Sequence, residues 1–251
     1  MTHARFTLAL FVLVAATACA GPATQTDAAV PSAPASAVSA SPDRSTTPDG
    51  INDGFLSEDL DPQAFVNRWE VESREIFASR SEIVAAIGLR PGDRIADIGS
   101  GTGLFLQPFS EAVGADGQVL AVDISPQFLE HLRERVEVEG LANVSVVHSR
   151  EDSATLPAGA ADVAFVCDTY HHFSDFGSML ASLEEALRPG GTLVVIDFER
   201  IPGVSSDWIL GHVRAGKQTF RAEIEAGGFD FVEEVQVPGL EENYFLRFVR
   251  P

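Results

Sequence analysis

An apolar run that passes straight into three glycines at alternate positions, Ile95-Ala-Asp-Ile-Gly-Ser-Gly-Thr-Gly103, constrains this chain more than any other stretch. Glycine has no Cβ, so Gly99, Gly101 and Gly103 permit a sharp turn and a close approach of backbone to ligand. The helical pattern Leu104–Val113 follows at once, and the N–H groups of its first turn are expected to face the same ligand. A strand, a bare turn and a helix in that order point to an open α/β sheet, in which ligands sit beyond the carboxyl ends of the strands. Asp97 closes the first strand and Asp123 closes the next. Two carboxylates facing a glycine turn suit a ligand with hydroxyls and positive charge better than one with phosphates.

Strand and helix signals then alternate along the chain. Short apolar runs at Arg94–Ile98, Val119–Val122, Val144–Val147, Val163–Val166 and Thr192–Ile196 read as strands covered on both faces. Helices are expected between them at Leu104–Val113, Pro126–Glu139 and Phe176–Leu187. The second has clear boundaries: Ser125 to cap it, Pro126 at its first position, Gly140 after its end. Phe128, Leu132 and Val136 form its apolar stripe, widened by Leu129. Ahead of the first strand, Pro62–Phe77 reads as one helix with Phe65, Trp69, Ile76 and Phe77 near one face, and Ser81–Ile87 as another, stopped by Gly88. After a helix at Gln218–Ala226, the runs Phe231–Val237 and Tyr244–Val249 flank Pro238-Gly239 and read as an antiparallel pair. The fold class is therefore α/β: a doubly wound, mostly parallel, Rossmann-like sheet of seven strands with a C-terminal antiparallel hairpin.

The dinucleotide fingerprint G-x-G-x-x-G/A does not fit, because its third position falls on the bulky Leu104. The observed D-I-G-S-G-T-G after a strand resembles motif I of the class I S-adenosylmethionine-dependent methyltransferases. Leu187-Arg-Pro-Gly-Gly191 before the fifth strand matches another landmark of that family, whose glycines turn the chain sharply. Asp168-Thr-Tyr-His-His-Phe173 and the tail Tyr244-Phe-Leu-Arg-Phe248 resemble exported members of its small-molecule group. The resemblance covers about Phe65 to Pro251 and implies the strand order 3-2-1-4-5-7-6, with S-adenosyl-L-methionine as cofactor. It implies that Asp97, Gly99, Ser100, Gly101 and Gly103 line the methionine and ribose portions, with Ile124 on the adenine. The acceptor oxygens of Asp123 suit two ribose hydroxyls. Glu151 and Asp152 both qualify for the adenine amino group, and Asp168 for the cofactor amino group.

Tyr170, His171 and His172 stand at the end of the fourth strand, where an acceptor meets the methyl group. Histidine changes charge near neutral pH and can take a proton, so these are the candidate catalytic residues. The alternative is that the histidines cap or pack the following segment. Trp208 and His212 are candidates within a substrate loop from Arg200 to Gly216. No Cys/His set has zinc-ligand spacing, so no metal is expected.

The formal net charge of −20, with Lys217 the sole lysine, disfavours a phosphate backbone and so argues against a nucleic-acid partner. Met1–Arg5 is basic, Phe6–Ala18 is apolar and Cys19 follows, which is the pattern of a signal peptide. The run is too short for an ordinary membrane span, which needs ~20 residues. Ala16-Thr17-Ala18-Cys19 resembles a bacterial lipobox, with Ala16 where leucine is usual. The resemblance implies export, a lipid anchor on Cys19 and a place at the periplasmic face of the outer membrane. The expected domains are a signal peptide over 1–18, a disordered Ala/Pro/Ser/Thr-rich tether over 19–54 and a methyltransferase domain over 55–251. Cys167, the remaining cysteine, reads as a buried strand residue. A small-molecule acceptor is the expected partner, and the sequence indicates no protein partner. Two other readings stay open: a non-catalytic lipoprotein that binds a nucleoside or a partner with the same fold, and a nicotinamide oxidoreductase.

Overall fold

The structure, a computed structural model, describes residues 47–48 and 50–251. The leader Phe6–Ala18, the candidate lipidation site Cys19 and most of the tether lie outside the described residues. No helix among those described is long and apolar enough to cross a membrane.

Three helices precede the sheet: α1 (Pro62–Trp69), α2 (Glu75–Ala78) and α3 (Arg80–Ile87). Then follow β1 (Arg94–Ile98), α4 (Leu106–Val113), β2 (Gln118–Asp123), α5 (Pro126–Glu139), β3 (Val144–His148) and β4 (Ala161–Cys167). A single 3-10 turn, Tyr170–His172, leads to α6 (Phe176–Ala186) and β5 (Leu187–Phe198). The chain ends with α7 (Asp207–His212), α8 (Lys217–Ala226), β6 (Asp230–Glu234) and β7 (Asn243–Val249). The seven strands run in the order β3-β2-β1-β4-β5-β7-β6. The first five are parallel, and β7 is antiparallel to both β5 and β6.

Period-two alternation sends side chains to both sheet faces. On one face Ala96, Ile98, Val122 and Val166 pack on Met179, Leu180 and Leu183 of α6 and Phe220 and Ile224 of α8. On the other, Ile95, Ala121, Phe165 and Val194 pack on Ile83 and Ile87 of α3 and Leu106, Phe109 and Val113 of α4. The boundaries of α5 follow the sequence signals. Ser125 accepts a hydrogen bond from the Phe128 N–H at 3.4 Å, Pro126 opens the helix, and Gly140 closes it in the left-handed region at φ 67°.

Three departures from the sequence reading have physical causes. The expected helix Pro62–Phe77 breaks after Trp69. Glu70 leaves helical geometry and accepts from Arg135 at 2.7 Å, while Arg74 turns inward to Asp168 at 2.9 Å. Leu187-Arg-Pro-Gly-Gly191 does not precede β5 but forms a bulge within it: the pairing with β4 shifts there and Gly190 takes φ 73°. Thr47 and Asn52, within the stretch read as tether, pack on the 3-10 turn. Thr47 is buried and donates to the Phe173 carbonyl at 2.5 Å, and buried Asn52 donates to the His172 carbonyl at 3.2 Å. Their composition read as tether, but each side chain satisfies a carbonyl at the 3-10 turn.

Phe109 is fully buried between Phe105 (centroids 5.2 Å apart) and Phe165 (5.1 Å). Phe109→Ala is expected to lower unfolding free energy by about 3–5 kcal/mol. Urea denaturation measures it, and a loss below about 1 kcal/mol contradicts this packing.

Candidate active site

A cavity of about 520 Å³ opens beyond the carboxyl ends of β1, β2 and β4. Its floor is the glycine turn. Gly99 has φ 78°, and a Cβ there would lie 2.5 Å from the Thr169 side chain. A Cβ on Gly101 would approach the Trp69 indole to 3.2 Å. Glycine is therefore required at Gly99 both by the backbone and by the neighbouring wall.

The turn is an acidic cradle and not an anion nest. The N–H groups of Gly99 and Ser100 donate to the Val122 carbonyl at 2.8 and 3.0 Å. Gly101 N–H donates to Asp123 Oδ2 at 2.8 Å, and Ser125 N–H to Asp123 Oδ1 at 2.8 Å. α4 starts only at Leu106, so the expected first-turn donors stand back from the glycines. Ser100 Oγ donates to the Asp97 carbonyl at 2.9 Å. Burial pushes the Asp97 carboxyl up to about 7, with Ser100 pulling it down and the Asp123 charge adding to the rise. Burial also raises Asp123, against the hydrogen bonds from Ser125, Gly101 and Ile124.

Asp168 turns the chain at the end of β4 with φ 49°, a backbone region costly for a residue with a side chain. Its carboxylate accepts from Arg74 at 2.9 Å and Asn243 at 2.6 Å. Burial and the Asp197 charge push it up to about 7, against Arg74, His171 and Asn243. Beyond it, His171 is buried, with its Nδ1 held 2.9 and 3.1 Å from the two carboxylate oxygens of Asp197. With an acceptor pair on Nδ1, that nitrogen carries the proton and Nε2 is left free. His172 is held neutral: burial, then the charges of His171 and His212, lower it to about 2. Phe55, Phe65, Trp69 and Phe128 form an aromatic wall with ring centroids 4.7–6.4 Å apart.

Of the residues singled out in the sequence, Asp97, Gly99, Ser100, Gly101, Asp123, Ile124, Glu151, Asp168, His171 and His172 line this cavity. Glu151 lines it where Asp152 does not; Asp152 is exposed and pairs with Arg150 at 3.1 Å. Gly103 stands behind the cleft, where a Cβ would meet Leu132 at 2.8 Å and Leu106 at 2.9 Å, so helix packing explains that glycine. Tyr170 is corrected from catalytic candidate to core residue. It is fully buried, and its hydroxyl donates to Glu223 Oε2 at 3.3 Å, a carboxylate also gripped by buried Arg214 at 2.8 and 2.5 Å. The sequence reading missed the roles of Arg74, Asn243 and Asp197 as partners of Asp168 and His171. Asp197 closes β5 as Asp97 and Asp123 close β1 and β2, and that parallel was the available signal.

The sheet order with its inserted antiparallel β7 is the Rossmann-like methyltransferase fold. Residues 95–191 match the family model described as a methyltransferase domain. The ubiquinone/menaquinone biosynthesis C-methyltransferase UbiE of Shewanella piezotolerans is 30% identical over 118 residues, 47% of this chain and 47% of that protein. The chain thus spans about half the length of the curated relatives it matches. A crystal structure described as a SAM-dependent methyltransferase from Aquifex aeolicus aligns with TM-score 0.67 and 24% identity, covering 76% of this chain and 98% of that one. A possible exported protein from Bordetella parapertussis aligns with TM-score 0.57 and 15% identity, covering 78% and 75%. These matches show the methyltransferase fold and a methyltransferase-domain match over residues 95–191, and they support S-adenosylmethionine as the cofactor. The cleft fits that molecule on its own terms. Its volume lies in the range of small-molecule sites, Gly99 and Gly101 are among its lining, and its buried carboxylates and aromatic wall suit a cationic nucleoside.

The raised carboxyl of Asp97 has a stability consequence. The folded state holds that proton up to about pH 7, while the unfolded chain releases it near ~3.9. Its contribution is therefore complete below the unfolded value and is lost as pH rises through the folded one. His172 runs the other way, since its neutral form is lost on acidification below ~6.5 in the unfolded chain. Asp97→Asn isolates the first effect. Its stability relative to the unsubstituted chain is expected to rise from about pH 5 to about pH 8. Urea unfolding of both proteins without ligand tests this, and a pH-independent difference contradicts it.

Proposed function

We propose that this protein transfers a methyl group from S-adenosylmethionine to a small-molecule acceptor. The observation that carries the reading is the glycine turn clasped between two buried carboxylates, Asp97 and Asp123. When bound, the cofactor supplies a methyl group already activated on a sulfonium centre. Two of the acceptor sites of Asp123 serve backbone N–H groups, which fixes its orientation and leaves its remaining lone pairs for ligand hydroxyls. Asp97 in its ionised form favours the positively charged end of the cofactor, and Phe55, Trp69 and Phe128, with Phe65 packed against them, give the cavity an aromatic wall. The acceptor end lies at His171, His172 and His212, with Trp208 stacked on His212 at 4.7 Å. There Asp197 holds His171 so that its free nitrogen meets the acceptor's proton. The main work left to the protein is alignment.

Calorimetry of the full chain is expected to show saturable S-adenosylmethionine binding. Asp123→Asn, which loses ionic acceptor strength, should weaken it about 10- to 100-fold. S-adenosylhomocysteine should accumulate with a productive member of an acceptor panel. Absence of binding by the unsubstituted chain refutes the reading.

We also propose that the protein is exported and anchored through a lipid on Cys19. The basic start, the apolar run Phe6–Ala18 and the Ala16-Thr-Ala-Cys19 sequence support this. Mass spectrometry of native protein is expected to find an acylated Cys19 as the first residue. An intact Met1 terminus refutes it.

A further inference from the structure

The 3-10 turn Tyr170–His172 and the end of α7 bring three imidazoles together. One ring nitrogen from each of His171, His172 and His212 lies within 4.8 Å of the other two. The Nε2 atoms of His172 and His212 are 3.4 Å apart. Two imidazole nitrogens on one tetrahedral zinc, each at 2.0–2.1 Å, stand roughly 3.3 Å apart. That pair already has the spacing of co-ligands, and the third nitrogen needs an approach of at most about 1.5 Å.

We propose that His171, His172 and His212 form a binding site for a divalent transition-metal ion of the zinc class, with Asp197 orienting His171 from behind. Three further observations support it. Asp197 occupies Nδ1 of His171 and leaves Nε2 for a ligand, the carboxylate–histidine arrangement that fixes metal-binding imidazoles. His172 has a buried Nδ1 without a hydrogen-bond partner, so its ring is not held by a polar network of its own. Each ring is braced by an aromatic neighbour instead: Phe55 edge-on to His172 at 5.2 Å, Phe198 against His171 at 5.9 Å, and Trp208 stacked on His212 at 4.7 Å. Imidazole donors select zinc-class ions over magnesium or calcium, which need oxygen. Three protein ligands on a tetrahedral ion leave one position for water or substrate, and all three rings line the cavity.

The sequence concealed this site because its ligands do not follow a zinc-motif spacing. Two are adjacent in a 3-10 turn, and the third comes from a different helix forty residues on. The ion would take the His171 nitrogen that the methyl-transfer reading gives to the acceptor's proton, so the two uses of that nitrogen exclude each other; a further use of the ion, to acidify an acceptor hydroxyl or thiol, rests on the methyl-transfer reading.

The test uses the untagged full chain, stripped with chelator and titrated with Zn²⁺ in the absence of cofactor. One zinc per chain is expected, with Mg²⁺ failing to compete. Co²⁺ should give the intense visible bands of a tetrahedral nitrogen site. His212→Ala, at a half-exposed position compatible with folding, should abolish stoichiometric uptake, whereas exposed His148→Ala should keep it. Asp197→Asn should weaken binding about 10- to 100-fold. No saturable zinc uptake by the unsubstituted chain, or wild-type affinity in His212→Ala, overturns the proposal. Neither result bears on cofactor binding at the glycine turn.

Discussion

The carboxylate of Asp123 ties the cleft together. One oxygen takes the N–H of Gly101 and the other takes the N–H of Ser125. The first bond pins the apex of the glycine turn, and the second sets the start of α5, where the Ser125 side chain in turn caps the helix. That bridge joins the turn after β1 to the helix after β2, beside the bonds from Gly99 and Ser100 to the Val122 carbonyl. It is also a costly choice, because a carboxylate in a buried place loses its water and gains only partial compensation from the backbone amides of Ser125, Gly101 and Ile124. A turn held by an ionisable group on the ligand side of the sheet is best explained by what it faces.

The other half of the site depends on a strained residue. Asp168 at φ 49° redirects the chain so that the 3-10 turn carries His171 and His172 over the end of β5. Arg74 and Asn243 hold the Asp168 side chain, and its N–H donates to the Ile196 carbonyl at 2.9 Å. Those partners come from the helical entry and from β7, the two parts of the fold outside the parallel core. The break after α1 and the antiparallel insertion therefore help to hold the turn that carries the histidines. They supply the groups that make an unfavourable backbone conformation affordable beside the histidines.

Much of the sheet was legible because its signals are local. The limits of β1 and α5 follow directly from apolar runs, Ser125, Pro126 and Gly140, and the acid-flanked glycine turn at the cleft floor from Gly99, Gly101 and their neighbouring acids. What stayed hidden depends on tertiary partners. Periodicity extended α1 through Phe77, and nothing local indicated that Arg135 would draw Glu70 out of the helix. Tyr170 sits beside two cleft histidines in sequence, yet the buried Arg214–Glu223 pair takes its hydroxyl into the core. Thr47 and Asn52 look like linker residues until their carbonyl partners at the 3-10 turn are seen. The three-imidazole cluster needed both β5 and α7 in place before it existed at all.

Charge connects the two ends of the cleft. Asp97, Asp123, Asp168 and Asp197 all close parallel strands or the turn beyond one, so the sheet gathers negative charge at a single rim. Burial pushes the carboxyls of Asp97 and Asp168 up to about 7. A cation brought to that rim gains the full attraction of the ionised carboxylates and displaces their protons. In the readings proposed above, that cation is a sulfonium at the glycine turn and a metal ion backed by Asp197 at the imidazole cluster. An acidic rim of this kind is poorly suited to phosphates and becomes comfortable only when positive charge arrives, so the cleft's electrostatics select the ligand before any shape does.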